Sequence, residues 1–68
     1  MKVIIETLYN RMGQEIRVEI YLENELGVYC LLKVFESGYE ISQALFYAQK
    51  VANVLQCEID TCKAVVKR

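Results

Sequence analysis

The chain has no histidine, no proline and no tryptophan among its 68 residues. Without histidine, a serine or cysteine nucleophile lacks the imidazole base that commonly activates it. Its three glycines, Gly13, Gly27 and Gly38, are each explained by a turn or a helix cap, so no phosphate-binding glycine loop is present. We therefore expect a protein that is not an enzyme and that uses no cofactor.

The three cysteines, Cys30, Cys57 and Cys62, contain no Cys-x-x-Cys pair. Four residues separate Cys57 from Cys62, a spacing that is not usual for zinc, and a fourth ligand is missing. We expect reduced thiols that act as small apolar side chains, and no metal site.

No apolar run approaches the length of a membrane span, and neither sign of charge is in excess, since 8 basic and 9 acidic residues give a net charge of −1. A chain without a basic excess is not suited to general nucleic-acid or anionic-membrane binding. The hydrophobic fraction of 54 % excludes disorder. We expect one complete, soluble, cytoplasmic domain over residues 1–68, without membrane contact.

One turn signature occurs twice, as Asn10-Arg11-Met12-Gly13 and Asn24-Glu25-Leu26-Gly27. Asparagine favours the first position of a type I turn, and glycine supplies the left-handed residue that closes it. The apolar and polar alternation around both turns predicts strands over 2–9, 14–23 and 28–36. Together they form a three-stranded antiparallel meander.

The turns also predict a register, if each asparagine opposes the residue that follows its glycine. The second hairpin then pairs Leu22 with Cys30, Tyr21 with Leu31, Ile20 with Leu32, Glu19 with Lys33, Val18 with Val34 and Arg17 with Phe35. The first hairpin pairs Asn10 with Gln14, Leu8 with Ile16 and Ile4 with Ile20. The core face predicted from these pairs consists of Ile4, Leu8, Ile16, Val18, Ile20, Leu22, Cys30, Leu32 and Val34. Glu6 also falls on that face and does not fit a core.

A helix over 41–56 is predicted to cover the core face. Its apolar stripe is Ile41, Leu45, Ala48, Ala52 and Leu55, with Ala44 and Val51 beside it. Two starts compete: a capping box that begins at Ser37, and an N-cap at Ser42 with Ile41 and Phe46 as a hydrophobic staple.

The C-terminal segment 57–66 is interpreted as a fourth strand, because its composition is poor for a helix and Val65-Val66 favours a strand. The alternative is one long helix over 40–66. The predicted fold class is α+β: the meander, a fourth C-terminal strand, and one helix packed on one face.

The second sheet face is the candidate for function. The predicted register places Val3, Ile5, Tyr9, Tyr21, Tyr29, Leu31 and Phe35 there, among charged residues. Such a mixture is typical of a binding surface, although aromatic residues also stabilise sheets by cross-strand packing. The candidate partner-binding residues are Glu19, Tyr21, Glu23, Tyr29, Leu31 and Phe35.

The function predicted from this face is that of a non-enzymatic protein-binding module that occupies a partner's surface. In size and acidity, and in having no recognisable site, the chain resembles the small binding proteins of phages and mobile elements, including inhibitors of CRISPR defence. The alternative is single-stranded nucleic-acid binding through the same aromatic residues. The acidic residues Glu15, Glu19, Glu23 and Glu25 favour a protein partner.

Self-association is also expected, because so short a chain has a small core and a second apolar face. The predicted homodimer buries Tyr21, Leu31 and Phe35 between its copies. A dimer formed by the C-terminal segment around Val66 is the alternative.

Overall fold

The computed structural model describes residues 1–36 and 38–65, which form a two-layer α+β fold. Its strands are β1 (Lys2–Tyr9), β2 (Glu15–Glu23), β3 (Tyr29–Phe35) and β4 (Glu58–Val65). Its helices are α1 (Gly38–Ile41) and α2 (Ala44–Leu55). The strand order is β3-β2-β1-β4, with β1, β2 and β3 antiparallel and β4 parallel to β1. The predicted meander and the fourth C-terminal strand are confirmed, and a helix over 40–66 is wrong.

The two asparagine turns have the same geometry. In the first turn, Asn10 Oδ1 accepts hydrogen bonds from the backbone N–H groups of Met12 at 2.9 Å and Gln14 at 3.0 Å. In the second turn, Asn24 Oδ1 accepts the equivalent bonds from Leu26 and Val28 at the same two distances. Gly13 and Gly27 both have a φ of +80°, the left-handed conformation that glycine adopts without strain. Each asparagine N–H also bonds the carbonyl of the residue after the glycine, as predicted.

The register of the first hairpin differs from the prediction beyond the turn. Tyr9 pairs with Glu15, but Leu8 pairs with Arg17, so that Ile16 is an extra residue on β2. The predicted pairs Leu8–Ile16 and Ile4–Ile20 are therefore wrong. The observed pairs are Val3 with Leu22, Ile4 with Tyr21 and Ile5 with Ile20. A shift of one residue exchanges the two faces of a strand, so β1 places Val3 and Ile5 in the core cluster instead of Ile4. Leu8 is buried, as predicted, but lies outside that cluster.

The second hairpin keeps the predicted register near its turn and loses it at a bulge. Leu22 pairs with Cys30 and Tyr21 with Leu31, as predicted, but Ile20 pairs with Lys33, and Leu32 is the extra residue. The four predicted pairs further from the turn, Ile20–Leu32, Glu19–Lys33, Val18–Val34 and Arg17–Phe35, are therefore wrong.

The bulge turns Phe35 toward the helix, where it lies opposite Val18 and is 6 % exposed. Burying an aromatic ring removes more apolar area from water than burying a valine, which gives a physical reason for the bulge. The bulge moves Val34, which was predicted in the core, to the other face opposite Glu19. Cys30, also predicted in the core, keeps its predicted partner Leu22 but is exposed on the edge strand β3.

The helical segment is broken at Ser42-Gln43 and approaches the sheet through alanines. Ala44, Ala48 and Ala52 are buried, whereas the predicted stripe residues Leu45 and Leu55 are exposed. Small side chains let a helix lie close to a sheet, and this places the alanine row at the centre of the contact.

The ends of α2 are only partly as predicted. Gln43, not Ser42, occupies the N-cap position, with no side-chain hydrogen bond, and the staple partner Phe46 remains exposed. The helix ends close to the predicted residue 56, where Gln56 adopts the left-handed conformation. The capping box at Ser37 and the dimer contact at Val66 lie outside the described residues.

The core lies between α2 and one face of the sheet. Val3 and Ile20 are completely buried at its centre. The other buried members are Ile5, Val18, Phe35, Ala44, Ala48 and Ala52. The opposite sheet face is not covered by any described helix. We call it the open face, and it is the surface on which a site is sought.

Candidate functional site

The open face is formed by alternate residues of all four strands. From β1 and β2 it takes Ile4, Glu6, Leu8, Arg17, Glu19, Tyr21 and Glu23, and from β3 and β4 it takes Tyr29, Leu31, Asp60 and Cys62. Leu8 is buried, but it does not belong to the core cluster beneath α2, because it lies on this face of the sheet. A sheet face directed to water is usually more polar than this one.

A depression of about 520 Å³ lies in the open face and is lined by residues of all four strands. That volume is within the range of small-ligand and side-chain pockets, roughly 300–1,000 Å³. The depression is lined by Lys2, Ile4, Glu6, Tyr21, Glu23, Tyr29, Asp60, Thr61 and Cys62. The rings of Tyr21 and Tyr29 meet edge to face, with centroids 6.4 Å apart, and form one wall.

Lys2 is held between two carboxylates at the rim of the depression. Its Nζ lies 3.0 Å from Asp60 Oδ2 and 3.8 Å from Glu23 Oε2. The hydrogen bond to Asp60 and the attraction of both carboxylates raise the pKa of Lys2 above its ordinary value. Lys2 therefore stays charged, and its charge is already matched within the chain.

Tyr21 is anchored by β2 itself. Its hydroxyl donates a hydrogen bond of 3.0 Å to Glu19 Oε1, while Arg17 Nε lies 3.4 Å from Glu19 Oε2. Arg17 Nε is buried, and this ion pair does not satisfy it as a hydrogen bond. Desolvation of the ring, and then the bond to Glu19, raise the pKa of Tyr21. The phenol is therefore a neutral hydrogen-bond donor and a fixed aromatic surface.

Glu6 and Cys62 are neighbours across the parallel β1–β4 pair. The Cys62 Sγ atom lies 3.8 Å from Glu6 Oε2. Desolvation and the nearby Glu6 carboxylate raise the pKa of the Cys62 thiol. A thiol with a raised pKa is a poor nucleophile, because only the thiolate attacks. Within residues 1–36 and 38–65, no Lys or Arg nitrogen lies within ion-pair distance of Glu6.

The residues described give no sign of a metal centre or a membrane span. Among them, no three or more histidine, cysteine or acidic side chains are grouped so as to hold a metal ion. In the same part of the chain, no helix is both long enough and apolar enough to cross a bilayer.

The structure brings five of the six predicted partner-binding residues together. Glu19, Tyr21, Glu23, Tyr29 and Leu31 all lie on the open face. Phe35 does not, and its placement there was wrong. Its ring packs on the helix side, with a centroid 5.8 Å from that of Tyr47.

Sequence reasoning missed six residues of the depression: Lys2, Ile4, Glu6, Asp60, Thr61 and Cys62. The signal for Glu6 was present, because it was the one charged residue assigned to the core. A shift of β1 by one residue removes that misfit and brings Ile4 to the open face at the same time. Lys2 and Asp60 had no such signal, since their proximity depends on the parallel pairing of β1 with β4.

A second surface lies on the other side of the molecule, along α2 and the end of β3. A shallow groove of about 490 Å³ is lined there by Lys33, Phe35, Gln43, Phe46, Tyr47 and Lys50. Lys33 Nζ stands 5.7 Å from the ring centroid of Phe35 and 5.8 Å from that of Tyr47. The groove lining contains two lysines and no carboxylate, in contrast to the depression.

Comparison of the chain with protein-family models, curated proteins and solved structures finds no match. The arguments on function therefore rest on the chemistry of its two surfaces.

Proposed function

We propose that this chain is a non-enzymatic protein-binding domain that docks on a partner protein through its open face. The observation that carries the proposal is the uncovered cluster of Ile4, Tyr21, Tyr29 and Leu31 around a depression. Aromatic side chains surrounded by charged ones are the usual anatomy of a protein interface, and the aromatic residues supply much of its energy. Tyr29 and Leu31 are 60 % and 50 % exposed, so both are available to a partner.

The charges of the open face favour a partner with a basic surface. Its carboxylates are Glu6, Glu19, Glu23 and Asp60, and its cations are Lys2 and Arg17. Both cations are paired with carboxylates of the same face, whereas no lysine or arginine within residues 1–36 and 38–65 pairs with Glu6. Complementary charge of this kind accelerates association more than it increases final affinity.

Nucleic acid is the competing ligand, because Tyr21 and Tyr29 offer rings on which bases can stack. Binding of phosphates requires cations that are not already neutralised. Lys2 lies between Asp60 and Glu23, and Arg17 is paired with Glu19, so these two cations of the open face are already neutralised. This arrangement supports the protein partner.

A domain of this kind acts by covering a surface of its partner, as an inhibitor or an adaptor does. The small inhibitors encoded by phages and mobile elements work in this way, and we propose this mode of action here. All three cysteines are free thiols, which fits a reducing compartment such as the cytoplasm.

The test compares capture of a partner by the wild-type chain and by surface variants. Tagged wild-type protein, Tyr29→Lys, Leu31→Glu and the control Met12→Glu are incubated with lysate of the source cells, and bound proteins are identified by mass spectrometry. Met12 is 83 % exposed in the first turn, away from the open face. We expect one defined protein that the control retains and both open-face variants lose.

Titrations with purified components then test the alternative, which is nucleic-acid binding. The partner is titrated into the chain, and a fluorescent single-stranded 12-mer of mixed sequence is titrated in parallel at 0.15 M salt. Micromolar oligonucleotide binding that Tyr29→Lys strengthens and Tyr21→Ala abolishes would replace the proposal with nucleic-acid binding. Equal capture of the partner by all four proteins would show that the open face is not its docking site.

A further inference from the structure

The side of the molecule opposite the open face has its own unpaired surface. Phe46, Lys50 and Val54 are spaced four residues apart and form a row on the outward side of α2, which we call the helix ridge. The row is about 12 Å long, at a rise of 1.5 Å per residue. Phe46 is 68 % exposed and Val54 is 82 % exposed. Two large apolar side chains on either side of one lysine are unusual on a helix face directed to water.

The two surfaces are opposite in charge and in shape. The open face is concave at its depression, and no basic side chain in the described part of the chain pairs with its carboxylate Glu6. The helix ridge is convex and carries Lys50, with Lys33 in the groove beside it. The segment Ala44–Leu55 contains one lysine and no acidic residue. Opposite potentials across a contact favour association, while like potentials oppose it.

We propose that a second copy of this chain docks head to tail, with its helix ridge seated in the depression of the open face. Phe46 of the incoming copy would pack against the wall made by Tyr21 and Tyr29. Lys50 would approach Glu6. The arrangement places a helix on each side of the sheet, so that the face left bare in the single chain becomes covered.

Symmetric pairings of the same surfaces are disfavoured by charge. Two open faces brought together would place Glu6, Glu23 and Asp60 of one copy against the same residues of the other. Two helix ridges brought together would oppose Lys50 with itself and leave both open faces bare. The head-to-tail contact avoids both conflicts, because each contact uses one surface of each kind.

This inference rests on the proposed function, because both use the open face. It adds that a second copy of the chain occupies this face when the partner protein is absent. The partner and a second copy would then compete for the depression. The two ideas can fail separately. A chain that stays monomeric would leave partner docking intact, and loss of partner docking would not change self-association of the purified chain.

Sedimentation velocity of the purified chain between about 10 and 500 µM tests the proposal. We expect the average mass to rise with concentration at 50 mM salt and to fall at 0.5 M salt, because screening weakens attraction between exposed charges. Phe46→Glu puts a carboxylate on the helix ridge, and Tyr29→Lys puts a cation in the depression. Each should weaken association at least about tenfold, a change that a poorly matched anchor residue commonly causes.

An equimolar mixture of the two variants gives the sharpest result. The Tyr29→Lys chain keeps an intact helix ridge, and the Phe46→Glu chain keeps an intact open face. The mixture should therefore recover association through the contact between the two intact surfaces, with a 1:1 dimer of twice the 7.9 kDa chain mass as the smallest product. Met12→Glu and Met12→Lys repeat the same charge changes away from both surfaces and should behave as the wild type.

Three results would overturn the proposal. The first is a wild-type chain that remains monomeric at 500 µM and 50 mM salt. The second is association that persists in either variant. The third is loss of association in both variants without recovery in the mixture, because the mixture still contains one intact surface of each kind. Circular dichroism of each variant confirms that it is folded before the comparison is made.

Discussion

Replacing two neighbouring isoleucines of β1, one at a time, tests the observed register directly. Ile5 belongs to the core and is 7 % exposed, whereas Ile4 is half-buried in the depression of the open face. Truncating a core isoleucine to alanine costs about 2–5 kcal/mol, from lost burial together with the cavity left behind. For Ile4 the lost burial is partial and solvent fills the space, so we expect about 1 kcal/mol.

The size of this difference matters for so small a chain. A stability of roughly 0.05–0.15 kcal/mol per residue gives about 3–10 kcal/mol for its total free energy of unfolding. Ile5→Ala should therefore remove a large share of it. Urea unfolding followed by circular dichroism measures the change. With an m-value of about 1 kcal/mol per molar, the Ile5→Ala midpoint falls by about 2 M or more, and the Ile4→Ala midpoint by about 1 M.

The two variants are controls for each other, because they remove the same atoms from adjacent residues of one strand. The unshifted register, in which Ile4 opposes Ile20, reverses the order of the two costs. If Ile4→Ala proves more destabilising than Ile5→Ala, the pairing of β1 with β2 and the membership of the open face are both wrong.

Three further changes have defined outcomes. Gly27→Ala should cost about 1 kcal/mol in urea unfolding, because a side chain is strained at a φ of +80° even though nothing lies within 4 Å of the added carbon. Tyr21 should ionise with a pKa above the ordinary value of 10.0 in an ultraviolet titration, and Tyr21→Phe should remove that part of the titration. Since the folded pKa of Tyr21 is the higher one, its contribution to stability is complete below pH 10 and is lost as pH rises through the folded value. Glu6→Gln should accelerate modification of Cys62 by a thiol reagent at pH 8, because it removes the carboxylate that raises the pKa of this thiol; an unchanged rate would contradict that assignment.

The turns could be predicted from the sequence because their causes are local. An asparagine side chain bonds backbone groups two and four residues away, and a glycine closes the turn, so all the determinants lie within five residues. The same holds for the end of α2 and for the strand character of 58–65, where propensity and spacing were enough. Local chemistry therefore fixed the elements and the pairing nearest each turn.

The bulges could not be predicted from the turns, because they are set by the competition for the core. Ile16 and Leu32 are extra residues at positions with no turn chemistry of their own. Each bulge changes which side chains reach the helix: one brings in Val3 and Ile5, and the other brings in Phe35. Only the packing against α2 decides between the two registers, and that contact joins segments far apart in the sequence.

The rotation of α2 is another consequence of packing. The spacing of apolar residues placed Leu45 and Leu55 on the buried side, with Ala44 beside the stripe. The structure instead centres the contact on Ala44, Ala48 and Ala52, because a close approach to the sheet requires small side chains. Phe46 lies on the opposite side of the helix from this alanine row and is 68 % exposed, so it belongs to the helix ridge.

The open face is what remains after the core has taken the side chains it can bury. The first bulge removes Glu6 from the core, and the second brings Phe35 into it, so both changes improve the packing beneath the helix. Neither change accounts for Tyr21 and Tyr29, whose rings stay together on the uncovered side. Tyr21 is held there by its bond to Glu19, which in turn is paired with Arg17, and this chain of contacts fixes an aromatic ring at the edge of an acidic depression. Folding gives one reason for these rings, because their cross-strand packing stabilises the sheet. The proposed docking adds a second reason, because it would bury aromatic side chains that the core leaves on a face directed to water.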